Sequence, residues 1–290
     1  MSQLSQKLGK SFVVTAELEP PRGPDTSNLL KQAQEVKTLV DAVNVTDSPM
    51  ASLRMSSIVA AYTIKREVGL ESIFHFTCRD RNSLALQADL LGAASLGLQN
   101  ILTLTGDPLS RGDHPHAKGV FELDLSSLIR LVKTLNAGQS QGKDLDGPTD
   151  FRIAAAANPG AKDLQLERAK IEAKLEAGAD FFQTQPVFTK DEVLRFLEVF
   201  DGKPPAPILY GVLPLRSSKM AERVSAWSNV PEALKAEIAQ EGKLAGIRWA
   251  KRLIADLKDL GVAGVHLYPL GKTAVVASLL DEADSSALAA

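Results

Sequence analysis

Short apolar runs alternate with amphipathic stretches eight times along the chain. The runs have the length of buried strands, whereas the stretches between them carry apolar residues at helical spacing, as at Leu29, Ala33, Val36 and Val40. This alternation is typical of repeated βα units around a parallel sheet. The predicted strands cover residues 12–18, 41–46, 72–77, 100–104, 152–156, 180–184, 208–213 and 264–267.

Eight such units in 290 residues, with no Pro/Ser/Gly linker between them, predict a single (β/α)8 TIM barrel of the α/β class rather than a doubly wound sheet. The barrel domain is expected to cover residues 1–282, followed by a disordered tail at 283–290. Two segments depart from this alternation of predicted strands and helices. The polar, Gly-rich segment 135–149 predicts a long surface loop, and 230–260 predicts an extra helix before the helix that leads into strand eight.

The composition narrows the function classes. A net charge of -2 gives no basic footprint, so we expect neither nucleic acid nor a membrane surface as a partner. The single cysteine, Cys78, excludes an internal disulfide, and no Cys/His spacing indicates a metal site. No apolar run approaches the roughly 20 residues that span a bilayer, and the N-terminus lacks a signal core. A cytoplasmic protein is therefore predicted.

Glu17 lies at the end of the first apolar run, where Pro20 and Pro21 stop the strand. A carboxylate in apolar surroundings has a raised pKa, which suits general acid chemistry near neutral pH. The alternative is an outward-facing glutamate at an alternating strand position. The other strand ends bear on this choice.

Most predicted strands end in polar residues. In a TIM barrel these carboxyl ends meet at one mouth, where active sites form. The pattern therefore predicts a small-molecule site at that mouth. The polar residues at or after the strand ends include Glu17, Thr46, Asp47, His75, Thr77, Thr105, Asp107, Asn158, Gln183, Gln185, His266 and Tyr268.

Seven segments occur in an order that resembles the methylenetetrahydrofolate reductase family: AELEPPRG, NVTDSP, FHFTCRDRN, ILTLTGDP, EAKLEAGADFFQTQPVF, YGVLPL and GVHLYPLGK. The resemblance covers about residues 12–272. It implies a flavin-containing barrel that reduces 5,10-methylenetetrahydrofolate to 5-methyltetrahydrofolate, with hydride from NADH or NADPH passing through the flavin. It also suggests FAD as the cofactor and a homo-oligomer, with partner subunits left open.

The resemblance also implies roles for individual residues. Glu17 matches the general acid, Asp107 matches the aspartate that faces flavin and pterin, and Gln185 matches the glutamine that binds the pterin. The positions that match cofactor contacts are Thr46, His75, Asp107, Asn158 and Lys174, and those that match folate contacts are Leu270 and Lys272. Without the resemblance, Asp107 reads as a turn or helix-cap residue and Lys174 as a solvated lysine.

The chain departs from the family at Leu18–Glu19, Thr105, Asn158 and around Ser217–Ser218, and several of these changes fall on the adenine and phosphate contacts of the flavin. Six basic residues are candidates to contact the flavin phosphates in place of the missing residues: Arg79, Arg81, Arg111, His114, His116 and Lys118. The competing interpretation is a solvated loop. FMN, or direct hydride transfer without flavin, therefore stays open, as do a pterin-binding methyltransferase barrel and a non-catalytic subunit.

Overall fold

A computed structural model describes residues 2–281 as a closed barrel of eight parallel strands, each paired with its neighbours in chain order and the last with the first. The predicted (β/α)8 barrel is thus confirmed, and the predicted tail at 283–290 lies outside the described residues. The strands are β1 Val13–Leu18, β2 Ala42–Val45, β3 Ser72–Thr77, β4 Asn100–Leu104, β5 Arg152–Ala157, β6 Phe181–Pro186, β7 Ile208–Val212 and β8 Gly264–Leu267.

The helices that surround the barrel are α1 Gln3–Lys7, α2 Ser27–Val36, α3 Ser57–Val68, α4 Ser83–Ser95, α5 Leu125–Asn136, α6 Leu164–Ala177, α7 Lys190–Glu198, α8 Ser218–Ser225, α9 Glu232–Glu241, α10 Lys243–Asp259 and α11 Ala274–Leu280. The two helices expected within 230–260 are present as α9 and α10. The short helices α1 and α8 were not expected. Within residues 2–281, no helix combines the length and apolarity that crossing a membrane requires.

The segment 135–149 is more regular than the predicted loop. Helix α5 continues to Asn136, and Gln139–Ser140 pairs with Lys143–Asp144 in a small antiparallel hairpin. The two residues of its turn, Gln141 and Gly142, both have positive φ, as a tight two-residue hairpin turn requires. The polar composition indicated exposure correctly, but not the hairpin.

Alternation along the strands separates two apolar layers. One layer lies between the barrel and the helices. The other fills the amino-terminal half of the barrel interior, and it includes Leu4 of α1 and Leu8, which follows that helix. The interior layer takes one residue from each of seven strands: Val13, Ala42, Ile73, Leu102, Ala154, Phe181 and Leu209. Residues two and four positions further along each strand face the same interior, which decides which strand-end side chains reach the mouth.

Candidate active site

A layer of hydrogen-bonded polar side chains lies above the apolar layer inside the barrel. Asn44 Nδ2 donates to Gln183 Oε1 at 2.6 Å and lies 3.0 Å from His75 Nε2. Gln183 Nε2 donates to Asn44 Oδ1 at 3.1 Å and to Thr15 Oγ1 at 3.3 Å, and Thr15 Oγ1 lies 2.9 Å from His266 Nδ1. These five buried side chains connect β1, β2, β3, β6 and β8 and form the floor of the mouth.

Both histidines of this floor are neutral at neutral pH. Burial lowers the pKa of His75 to about 4, with Asp47 opposing the shift, and lowers that of His266 to about 3, to which His75 also contributes. A neutral imidazole has one donor and one acceptor nitrogen, so it can take part in a network of amides and hydroxyls without adding charge. The floor is therefore polar but uncharged.

Glu17 stands above this floor, two residues beyond Thr15 on β1, and faces the interior. The outward-facing alternative is thus wrong. Its side chain keeps part of its surface open, yet it is enclosed enough that burial, with a smaller contribution from Glu19, raises the pKa of the carboxyl to about 7. Within residues 2–281 no group donates a hydrogen bond to this carboxylate. An enclosed carboxyl without donors is therefore partly protonated at neutral pH.

Tyr268 borders Glu17 at the end of β8. Its hydroxyl donates to the Thr184 carbonyl at 2.9 Å, and its ring meets that of His266 edge to face at 4.5 Å between centroids. Burial and the nearby Glu17 carboxylate raise its pKa, so it stays protonated. Gly211 makes room for this arrangement, because a Cβ there would lie 2.9 Å from the Tyr268 ring.

Thr46 and Gln185 both lie at inward-facing positions at strand ends. Thr46 is buried, and its hydroxyl has no hydrogen-bond partner in the described part of the chain. Gln185 stands two residues beyond Gln183 of the floor, and its side chain is exposed at the mouth. An unpaired buried hydroxyl is costly, so Thr46 marks a place where a ligand atom would complete the bonding.

The rim beside β2 and β3 is organised by Asp47. Its carboxylate accepts from the backbone N–H of Thr77 at 3.1 Å, from the Thr77 hydroxyl at 3.0 Å and from Arg81 at 2.8 Å. Arg81 also donates to Asp89 at 2.8 Å and lies over the Phe76 ring. The sequence identified Asp47 only as a strand-end residue, and its ion pair with Arg81 was not predicted.

Asp107 lies in the loop after β4, at the turn that Gly106 makes with a φ of +94°. Its carboxylate accepts from the backbone N–H of Met50 at 2.9 Å and lies 3.7 Å from Arg111. Asp107 therefore ties the β4 loop to the β2 loop, where three non-glycine residues, Ser48, Met50 and Ala51, have left-handed backbones.

The charged segment 110–124 packs onto neighbouring loops. Asp113 accepts from the Leu53 backbone at 2.9 Å and from Arg22 at 2.6 Å, so it links the loops after β1, β2 and β4. Gly112 packs so closely on Ala51 that a Cβ would fall 1.8 Å from the Ala51 carbonyl oxygen. The segment then returns to β3, where Val120 donates to the Arg79 carbonyl at 2.7 Å.

Several of the predicted phosphate contacts already have carboxylate partners. Arg79 is bound to Asp80 at 2.8 Å and donates to the Ser48 carbonyl, while Arg81 is bound to Asp47 and Asp89. These two arginines therefore connect the loops that form the rim.

Asn158 and Lys174 lie near the end of β5. The Asn158 side-chain oxygen accepts from Gly160 at 3.1 Å within its own turn, and its backbone N–H donates to the buried Glu167 at 2.9 Å. Lys174 donates to the Ala156 carbonyl at 2.7 Å, and burial lowers its pKa. Lys174 is thus not the freely solvated lysine that its helical position suggested.

Leu270 and Lys272 lie in the loop after β8. Leu270 has a left-handed backbone with φ of 46°, and 42% of its side chain is exposed. Lys272 is exposed too. A bulky residue in this backbone region is strained and is often found where a ligand is held.

Together these residues define a parallel-barrel enzyme whose mouth holds one enclosed protonatable carboxyl above an uncharged polar floor. The family model described as "Methylenetetrahydrofolate reductase" matches residues 2–284, so the chain belongs to this family, and the expected oxidoreductase class is confirmed.

Two relatives illustrate the range of the match. The "5,10-methylenetetrahydrofolate reductase" of Escherichia coli (strain K12) is 27% identical over 276 residues, which cover 89% of this chain and 86% of that protein. The "Methylenetetrahydrofolate reductase (NADH) 1" of Arabidopsis thaliana is 25% identical over 231 residues, which cover 72% of this chain and 37% of that protein.

Among solved structures, the EDTA monooxygenase EmoA from Chelativorans sp. BNC1 matches with a TM-score of 0.56 at 12% identity, over 95% of this chain and 94% of that one. Oxaloacetate acetylhydrolase matches with a TM-score of 0.53 at the same identity, over 94% of this chain and 81% of that one. At this identity the likeness shows the fold alone.

Proposed function

We propose that the protein reduces 5,10-methylenetetrahydrofolate to 5-methyltetrahydrofolate with NADH or NADPH as hydride source, through a bound flavin, and that Glu17 is the general acid. The observation that carries the proposal is the state of Glu17. It is inward-facing at the mouth, has no hydrogen-bond donor, and has a pKa raised to about 7.

The reaction requires a proton at a bridging nitrogen. The methylene bridge must open before its carbon accepts hydride, and protonating the bridging nitrogen makes that nitrogen a leaving group. A carboxyl with a pKa near 7 is about half protonated at neutral pH, and it is still acidic enough to give its proton away. Tyr268, whose hydroxyl is committed to Thr184, is the less suitable donor.

Residues of the mouth fit a flavin ring. A bound flavin would supply the hydride relay between the nicotinamide and the folate. Thr46 would give its unpaired buried hydroxyl, Asp107 would give a half-exposed carboxylate oxygen, and His75 would lie beneath. Asn158 and Lys174 would lie toward the ribose and phosphate end, with the Lys174 ammonium already held near the end of β5.

The substrate end would be formed by Gln185, Leu270 and Lys272. The exposed amide of Gln185 can donate to and accept from a pterin edge, and the strained Leu270 offers an apolar contact for the ring system. Lys272 is an exposed cation that a glutamate carboxylate of the folate would meet as a point charge rather than through a bidentate fork.

The choice between FAD and FMN depends on the contacts available beyond the flavin ring. Arg79 and Arg81 have carboxylate partners, and the Asn158 oxygen is used within its own turn, so these three groups are not free to bind the adenylate half of FAD. We therefore expect FAD or FMN to bind weakly. Reconstitution of apoprotein with each flavin, followed by fluorescence quenching, measures both affinities. Folate reduction by NADH when neither flavin binds at micromolar concentration would replace this part of the proposal with direct hydride transfer.

The acid is tested with Glu17→Gln, which keeps the shape but removes the proton. We expect folate reduction to fall by about a hundredfold to ten-thousandfold, because general acid catalysis contributes that much. Oxidation of NADH by a quinone in the flavin-loaded enzyme should persist, since it needs no proton on folate.

Glu19→Gln is the matched control. Glu19 stands two residues further along, paired with Arg54 at 3.0 Å, and its removal takes a negative charge from the same region without removing the acid. Folate reduction should stay close to wild type in this variant. If Glu17→Gln instead abolishes both reactions together, Glu17 has a structural role and the proposed acid is wrong.

A further inference from the structure

A cavity of about 750 Å³ opens at the other end of the barrel, away from Glu17. It lies between the segment that precedes β1, the turn that precedes β8 and residues 202–207 before β7. All three segments meet at the amino-terminal ends of their strands. The cavity is therefore separated from the proposed active site by the length of the barrel, and its size is that of a small-molecule pocket.

The walls are mostly apolar, with one unpaired polar group. Phe12, Leu197, Ile208 and Val262 are among the lining residues, together with the proline-rich turn 204–207. Tyr210 also lines the cavity, is 1% exposed, and its hydroxyl has no hydrogen-bond partner within the described chain. Buried hydroxyls are normally paired, so a bare one at a cavity wall indicates a missing partner.

The charged lining residues all have the same sign. Lys10, Lys203 and Lys258 border the cavity, and no aspartate or glutamate within residues 2–281 does. None of the three forms an ion pair within residues 2–281, and Lys258 lies over the Phe12 ring at 5.6 Å. Three unpaired ammonium groups around an apolar pocket would attract an anion.

We infer that this cavity binds a small amphipathic anion, with its apolar body against Phe12, Leu197 and Ile208 and its carboxylate or similar head near Lys258 and Lys203. A chain or ring system of this kind fits the apolar walls, and the absence of acidic lining residues favours an anion over a cation. Tyr210 would donate its hydroxyl to a ligand oxygen, which gives the buried group its partner.

Decanoate is a suitable probe, with decyltrimethylammonium as the probe of opposite charge. Titration calorimetry of the full chain should show saturable binding of one decanoate and no comparable binding of the cation. Lys258→Gln should weaken decanoate binding by about tenfold, because a charge-assisted contact is lost. Tyr210→Phe should weaken it by a smaller factor and should not lower the thermal midpoint, since no protein partner loses a hydrogen bond.

Lys243→Gln is the matched control, because Lys243 begins the same helix that carries Lys258 near its end. The two lysines are separated by about 22 Å at 1.5 Å per residue, so this change should leave decanoate binding unaltered. Ala206→Trp, in the half-buried turn of the cavity wall, should block binding by filling the space. Absence of saturable binding, equal effects of the two lysine variants, or binding that survives Ala206→Trp would each overturn the inference.

Discussion

The mouth of the barrel contains two strand-end carboxylates in opposite situations. Glu17, at the end of β1, faces the interior without a donor and has a pKa raised to about 7. Asp47, just after β2, accepts three hydrogen bonds from Thr77 and Arg81. The two residues have the same functional group and lie on adjacent strands, but their surroundings differ. Burial and Glu19 raise the pKa of Glu17, whereas Asp47 lies among hydrogen-bond donors.

This difference indicates a catalytic role for Glu17 and a structural role for Asp47. A carboxylate bonded to three donors is held in place by them, whereas a carboxyl with a pKa near 7 exchanges a proton readily at neutral pH. The pair Asp47–Arg81 therefore supports the rim, and Glu17 is left available for proton transfer. Three measurements test this assignment.

The largest effect is expected from Asp47→Ala. Arg81 is 16% exposed and Asp47 only 6%, so removing the carboxylate leaves a largely buried guanidinium with Asp89 as its remaining partner. Loss of one member of a buried pair costs about 3 kcal/mol. The free energy of unfolding, measured by urea denaturation, should fall by about that amount.

Glu232→Ala is the control for that change. Glu232 also pairs with a basic residue, Lys235 at 2.6 Å, but its side chain is 87% exposed. Water screens such a pair, so its loss should cost less than about 1 kcal/mol. Equal losses in the two variants would mean that the Asp47 cluster is no stronger than an ordinary surface contact.

An intermediate effect is expected in the pH dependence of stability. The pKa of Glu17 is about 7 in the folded protein against 4.5 in the unfolded chain, so the folded state binds more protons between these values. Stability therefore falls as pH rises through this window. Glu17→Gln cannot titrate, so its free energy of unfolding relative to wild type should rise by about 2 kcal/mol between pH 5 and pH 7.

That comparison is read as a difference between variant and wild type at each pH, which cancels the titration of all other groups. A pH-independent difference for Glu17→Gln would mean that the Glu17 carboxyl is as well solvated as a surface residue.

The smallest effect is expected from Thr46→Val, which removes the unpaired hydroxyl and keeps the shape. The apoprotein should be as stable as wild type or slightly more so, because no internal hydrogen bond is lost. Flavin affinity should drop about fivefold, equivalent to about 1 kcal/mol. Unchanged flavin affinity, measured by fluorescence quenching, would remove Thr46 from the cofactor site.

The barrel itself could be predicted closely from local patterns. Each observed strand lies within two residues of its predicted range at either end, because a buried parallel strand leaves a short apolar run in the sequence. The position of Glu17 could also be predicted, since Pro20 and Pro21 mark where β1 ends. The helix α1 could not be predicted, because five residues are too few to show a helical spacing of apolar positions.

The polar floor and the rim could not be predicted for a different reason. Thr15 and His266 meet across 251 positions of sequence, and Asp47 and Arg81 meet across 34. These contacts exist only because the barrel closes and brings strand ends together. No local pattern encodes such a pairing, so isolated polar residues at strand ends are all that the sequence displays.

The close approach of Gly112 to Ala51 has a consequence for how this barrel can diversify. A side chain at position 112 would collide with the Ala51 backbone, and Met50 and Leu53 already donate to Asp107 and Asp113 across the same boundary. The loops after β2 and β4 thus depend on each other for their shape. A chimaera that exchanges either loop alone with a relative would misassemble the mouth, whereas exchanging both together would preserve it.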